Sequence, residues 1–202
     1  MKIYDSNTAP NPRRVRMFLA EKGIQIPYEQ VDLGKSINRE AAFREKNPLM
    51  TVPVLELDDG TCIAETVAIC RYFEELQPNP PLLGIDMKDR ALVEMWQRRM
   101  ELELLIPIAD AFRHRHDFFK GKIRQVPEYA PVQKLNAEER LVWLNDVLAS
   151  RPFIAGDRYS IADITTVVAI DFGRTSKIAI QPDQTHLKRW HDMVSARPSA
   201  KA

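Results

Sequence analysis

An α/β module followed by an all-helical module is the architecture this sequence predicts, and three observations predict it. Strand-like and helix-like segments alternate over residues 1–76, with a hairpin pattern near the end of that stretch. Pro78-Asn79-Pro80-Pro81 then places three prolines where no helix can continue. Beyond them strand signals fade and helical periods dominate. The expected division is a first domain at 1–77, a linker at 78–85 and a helical domain at 86–202.

Taken in order, Lys2–Tyr4 reads as a short strand and Asp5–Pro10 as a polar loop. Asn11 is expected to cap the first helix, with Pro12 at its first helical position, where the missing N–H costs nothing. Val15, Phe18 and Leu19 form its apolar stripe, and Lys22-Gly23 its end. Tyr28–Leu33 reads as a second strand. Ser36–Lys46 reads as a short helix stopped by Asn47-Pro48. Val54–Leu57 and Thr61–Ile63 make a hairpin about Asp59-Gly60, a turn that tolerates positive φ. Pro53 cannot donate to a ladder and belongs at a strand start, an edge or a bulge. Val67–Leu76 carries apolar residues at Val67, Ile69, Cys70, Tyr72, Phe73 and Leu76, the pattern of a helix with a broad buried face. The order is β-α-β-α-β-β-α.

In the second half, Asp86 is expected to cap a long helix through Met95, Trp96, Met100 and Leu104, kinked at Pro107. The charged stretch Asp117–Pro131 has no regular reading. Asn136–Ala149 is helical by Leu141, Leu144, Val147 and Leu148. Ser160-Ile161-Ala162-Asp163 is a capping box ahead of an apolar run. A catalytic acid is the functional alternative for Asp163, and satisfying backbone donors at the helix start is its expected role. A last helix covers Thr185–Ala196.

Composition excludes several classes. A net charge of +1 on 202 residues favours no nucleic-acid partner. No apolar run approaches the ~18 residues that span a bilayer. Met1-Lys2-Ile3-Tyr4-Asp5 lacks a long apolar signal segment, so a cytoplasmic protein is expected. Cys62 and Cys70 read as small core residues rather than a disulfide or a nucleophile. His114 and His116 are two apart, and His186 and His191 have no cysteine nearby, so no metal is expected. Seven glycines and no Gly-x-Gly-x-x-Gly argue against a phosphate loop.

The informative pair is Glu65-Thr66. It stands where the second hairpin strand runs into a helix, so free N–H groups and the helix dipole favour an anion there. The Thr66 hydroxyl can add a hydrogen bond to a carboxylate, and Glu65 can meet an ammonium. An α-amino acid end carries both groups side by side. The alternative is that Glu65 and Thr66 only cap the helix.

An αβ module, a proline linker and a helical module, with Val52-Pro53, Glu65-Thr66 and Ser160-Ile161-Ala162-Asp163 in that order, resemble the cytosolic glutathione transferases over nearly the whole chain. Met100-Glu101-Leu102-Glu103-Leu104-Leu105 and Arg151-Pro152-Phe153-Ile154-Ala155-Gly156-Asp157 look like an atypical bacterial and fungal subgroup without the usual catalytic Tyr, Ser or Cys. The resemblance implies an α/β thioredoxin-like N-terminal domain plus an all-α C-terminal domain, paired as a homodimer. It implies a cis Val52-Pro53 bond, Val52 on the cysteinyl backbone of glutathione, and Glu65 and Thr66 on its γ-glutamyl end. Glutathione is then the co-substrate, and a small hydrophobic electrophile the partner.

The sequence departs from the family at two places. Thr51 stands before the Val-Pro pair, where relatives often carry Gln, Lys or Arg for the glycyl carboxylate; Lys35, or after it Arg39, is the candidate for that charge. Ala9 matches the usual catalytic serine, and Ala9-Pro10-Asn11-Pro12 fills the thioredoxin Cys-x-x-Cys positions. Without a hydroxyl at Ala9, the sulfur-facing candidates are Asn11 with the N–H groups starting the first helix, then Thr8, then an ordered water. An amide cannot act as a base, but by donating to the thiolate it lowers the thiol pKa. The electrophile is expected beside Ala9 and Pro10 and the kinked helix, where Arg99, Glu103 and Ile106 fall at i, i+4 and i+7, with Arg113 and His114 further along; all five are also consistent with ordinary solvated or interface positions. The expected activity is conjugation, with glutathione peroxidase activity beside it. The alternatives are a non-catalytic binding or scaffold protein and a specialised lyase, dehalogenase or isomerase.

Overall fold

Ile3 and Tyr4 are adjacent in the strand Lys2–Asp5 (β1) and are both buried, because a sheet covered on both faces needs apolar residues at successive positions. The computed structural model describes residues 1–202. They form two compact units, Met1–Pro81 with Lys201–Ala202, and Leu82–Ala200.

In the first unit β1 lies inside a four-stranded sheet of order β2-β1-β3-β4, where β2 is Tyr28–Gln30, β3 Val54–Glu56 and β4 Cys62–Ala64. β1 and β2 are parallel, joined by the helix Pro10–Lys22 (α1); β3 runs antiparallel to both β1 and β4. Tyr4 and Val54 are register partners and share a cluster with Val31, Phe43 and Val52. Phe43 comes from the helix Ala41–Lys46 (α2), and its ring meets Tyr4 edge-on. Ile3 and Leu55, the next register pair, are fully buried, as are Val15, Phe18, Ile69 and Phe73 of α1 and the helix Thr66–Leu76 (α3) packed with it.

Two first-half expectations change. The second strand ends at Gln30 instead of Leu33, because β1 runs out at Asp5 and Val31 donates the last bond, to the Asp5 carbonyl at 2.8 Å. The expected helix Ser36–Lys46 is two pieces, a 3-10 turn at Ile37–Arg39 and α2, separated by the extended Glu40. At the end of α1, Gly23 takes a φ of 66°, which lets its N–H and that of Ile24 reach back to Ala20 and Leu19. Beside it Lys22 is buried, and its ammonium meets Glu74 at 2.6 Å and the carbonyls of Gln77 and Pro80 at 2.8 and 2.7 Å.

The second unit holds helices Met87–Met100 (α4), Ile106–Arg113 (α5), Tyr129–Val147 (α6), Ile161–Gly173 (α7) and Thr185–Ser195 (α8). Asp86 caps α4 by accepting the Asp89 N–H at 2.8 Å. The kink expected at Pro107 is instead a π-helical turn at Glu101–Leu105, just before it. A proline lacks the donor and crowds the carbonyl four residues back, and the wider turn accommodates both. α6 begins at Tyr129, so the irregular stretch is shorter than expected; Pro131 sits in the first turn, where its missing N–H is harmless. α7 is buried from Ile161 to Ile170.

Asp163 organises the start of α7. One oxygen accepts the Ile154 N–H at 2.9 Å and the Trp190 indole N–H at 2.8 Å. The other accepts the Ser160 N–H at 2.9 Å and the Ser160 hydroxyl at 3.1 Å, completing the capping box. Desolvation pushes this fully buried carboxyl up to about 6, against hydrogen bonds that favour its charged form. Because the folded value lies above the unfolded one, the folded state takes up the proton first. This group therefore adds about 1 kcal/mol of stability as pH falls from about 7 to about 5. Asp163→Asn offers one acceptor and two donors where four donors converge. Urea unfolding should show it less stable by about 2–4 kcal/mol, with that pH-dependent gain gone.

Candidate functional site

The strand register gathers three segments at one end of the sheet. Tyr4 opposes Val54, so the loop after Asp5 and the residues before Val54 leave the same end; Val54 opposes Ala64, so Glu65 and the start of α3 leave there too. Ala9, from the first loop, packs on the Tyr4 cluster that contains Val52.

Asn11 is not the cap of α1. The helix begins at Pro10, Ala9 holds the N-cap position with no side-chain bond, and Asn11 lies inside the first turn. The reason is that Ser6 to Ala9 closes its own turn, the Ala9 N–H reaching the Ser6 carbonyl at 3.2 Å, and Pro10 carries the φ the first helical residue needs. Of the backbone donors a helix start leaves over, Pro10 and Pro12 have none and that of Ala9 is used, so the Asn11 N–H is the one without a partner. The Asn11 side-chain oxygen accepts from Arg14 Nη1 at 3.2 Å, which turns the amide NH2 the other way. Asn11 thus presents two free donor groups, its backbone N–H and its side-chain NH2, and no base. Thr8 is exposed, its hydroxyl 3.3 Å from that of Ser6.

Val52 has a buried side chain but a backbone N–H and C=O without a partner in the chain. The bond from Val52 to Pro53 is cis. Thr51, just before, is held by Asn47, whose side-chain N–H groups donate to its carbonyl and hydroxyl, each at 2.9 Å.

Glu65 stands at the N-cap position of α3, yet its side chain makes no capping bond. Its φ of 68° and ψ of 121° are a conformation an L-residue rarely adopts, of the kind that clusters at ligand sites. The Thr66 side chain is buried, and its hydroxyl, like the N–H groups of Thr66, Val67 and Ala68, has no partner in the chain. A carboxylate, a hydroxyl and an uncapped helix terminus therefore converge, which is chemistry for an α-amino acid end. The cap-only alternative has no capping bond to support it.

The remaining candidates are more engaged. Lys35 is 80% exposed and lies 3.6 Å from Asp32. In the helical unit, Arg99 stacks over Trp96 at 4.9 Å and Glu103 receives Arg140 at 3.1 Å. Arg113 pairs with Asp110 at 3.6 Å, and His114 accepts the Val126 N–H at 2.9 Å. Ile106 is exposed. Glu103 lies within the π turn, so the expected single face through Arg99, Glu103 and Ile106 does not hold across it. Sequence reasoning missed Arg14, which is 2% exposed and orients Asn11; its spacing of four from Phe18, on the apolar stripe, was the available signal.

Residues 8–76 match the glutathione S-transferase N-terminal domain, and residues 116–198 the glutathione S-transferase C-terminal domain. Glutathione S-transferase 2 of Saccharomyces cerevisiae is 36% identical, over 100% of this chain and 88% of its own length. A solved glutathione S-transferase domain-containing protein of Marinobacter aquaeolei superposes with a TM-score of 0.95 at 41% identity, covering 98% of this chain and 99% of that one. A class Gtt2 enzyme of Vibrio parahaemolyticus superposes at 0.88 with 33% identity, over 100% and 96%. With both domains matched and identity of this order along the full length, the chain belongs to the glutathione S-transferase family.

Proposed function

We propose that the protein binds glutathione at the sheet end and transfers its thiolate to a small hydrophobic electrophile, acting as a homodimer in detoxification. The observation that carries this reading is the set of polar groups the fold leaves unpaired there: the Val52 backbone, the Glu65 carboxylate, the Thr66 hydroxyl and the first turn of α3. The γ-glutamyl carboxylate meets Thr66 and the α3 N–H groups, its ammonium meets Glu65, and the cysteinyl backbone pairs with Val52. Lys35 serves the glycyl carboxylate.

The sulfur then faces the first loop. A free thiol titrates at about 8.5, and donors at a helix start lower that value. Asn11 supplies its backbone N–H and its side-chain amide, each stabilising the anion, and the thiol proton leaves to solvent. The thiolate attacks the electrophilic carbon, forming the S–C bond as the leaving group departs. The same thiolate is the nucleophile for the peroxidase activity included in this reading.

Two measurements test it. Glu65→Gln and Thr66→Val should each raise the glutathione Kd by about tenfold in calorimetry, the loss of about one charge-assisted hydrogen bond; unchanged affinity in both would remove this pair from the site. Titration of bound glutathione by its thiolate absorbance should show a depressed thiol pKa that Asn11→Ala raises by about one unit and Thr8→Val leaves alone. Bound glutathione with an ordinary thiol pKa would favour a binding protein without chemistry, the reading to which Ala9 points.

A further inference from the structure

The first loop has few apolar anchors. Asn7 and Thr8 are exposed, and Ala9 alone packs on the core cluster. What holds it is a polar network behind it. Asp5, at the end of β1, is 1% exposed. Its carboxylate accepts from Arg16 Nη1 at 2.6 Å on one oxygen and from Gln30 Nε2 at 2.6 Å on the other. Both partners reach on to the loop. The Gln30 side-chain oxygen accepts the Asn7 N–H at 3.2 Å, and Arg16 Nη1 lies 3.5 Å from the Ser6 carbonyl. That same carbonyl accepts the Ala9 N–H and so closes the turn into α1.

We propose that Asp5, Arg16 and Gln30 are positioning residues for thiol activation: they clamp the Ser6–Ala9 turn and thereby fix where the Asn11 donors point. This rests on the reading of Asn11 given above. None of the three is among the groups assigned to glutathione, so they act through the loop. Two of the bonds are charge-assisted and end on the buried Asp5 carboxylate, which makes the clamp stiff where packing is thin. The function asked of it is geometric, since a misplacement of about 1 Å at a reacting centre can cost about a hundredfold in rate. Gln30 is the link between strand and loop: its one neutral amide donates to Asp5 and accepts from Asn7.

Gln30→Met tests the clamp. Gln30 is exposed on an edge strand, and methionine keeps its length while removing both bonds. The expected result is a glutathione Kd within about twofold of the parent, a bound-thiol pKa raised by about half a unit to one unit, and a kcat lowered about two- to tenfold at neutral pH but recovering at alkaline pH, as a group poised by hydrogen bonding requires. Hydrogen exchange should quicken at Asn7 to Ala9. If the parent depresses the thiol pKa and Gln30→Met leaves it unchanged, the clamp is overturned while the Asn11 reading stands; a lower thermal midpoint with the same thiol pKa overturns it equally, by showing a structural role only. If the parent binds glutathione without depressing its pKa, the Asn11 reading fails first and the clamp with it.

Discussion

The pairing of β3 with β1 is the contact on which the first unit depends. Tyr4 opposite Val54 sets which side chains of each strand face the Phe43 cluster and which face its opposite side. A slip of one residue would exchange the two faces and move Val52-Pro53 away from the loop after Asp5. The register is held by more than backbone bonds. The Tyr4 hydroxyl donates to Glu56 at 2.6 Å, and Lys46, reaching from α2, meets the same carboxylate at 2.9 Å. These partners keep Glu56 ionised well below the usual carboxylate range, the Tyr4 hydroxyl contributing most.

Against that frame the site stands out by what it lacks. Several buried polar groups elsewhere are fully engaged: Asp163 accepts four hydrogen bonds, Lys22 meets three acceptors, and the Thr165 hydroxyl reaches Gln97 at 2.7 Å. At one end of the sheet a helix starts without a side-chain cap, beside a residue held at positive φ and a strand approach whose backbone is unpaired. Leaving such groups open costs stability in the free protein, and it is these groups that the proposed glutathione site uses.

Much of this was legible in the sequence. Asp59-Gly60, Asp86 and Ser160–Asp163 carry their signal within a few residues, so the hairpin, the α4 cap and the α7 capping box read directly. Glu65-Thr66 drew attention as a junction because strand, turn and helix signals adjoin it, and the structure places it at the start of α3. What stayed illegible depends on distant partners. The second strand stops at Gln30 because of where β1 ends, and the π turn before Pro107 trades one local solution for another. Asn11 misled because Asn before Pro is a strong local cap pattern, overridden here by the Ser6–Ala9 turn. The Asp5, Arg16 and Gln30 network joins residues far apart in sequence, which no periodicity shows.

Lys22 carries a consequence for where the α/β unit stops. Its ammonium takes the carbonyls of Gln77 and Pro80, both beyond the last turn of α3. A fragment cut at Leu76 would keep every helix and strand of the unit and still leave a buried cation facing Glu74 alone. The segment after α3 is thus solvating a charge as well as connecting elements. The α/β unit draws on backbone past the point where its regular secondary structure ends, as far as one lysine side chain reaches.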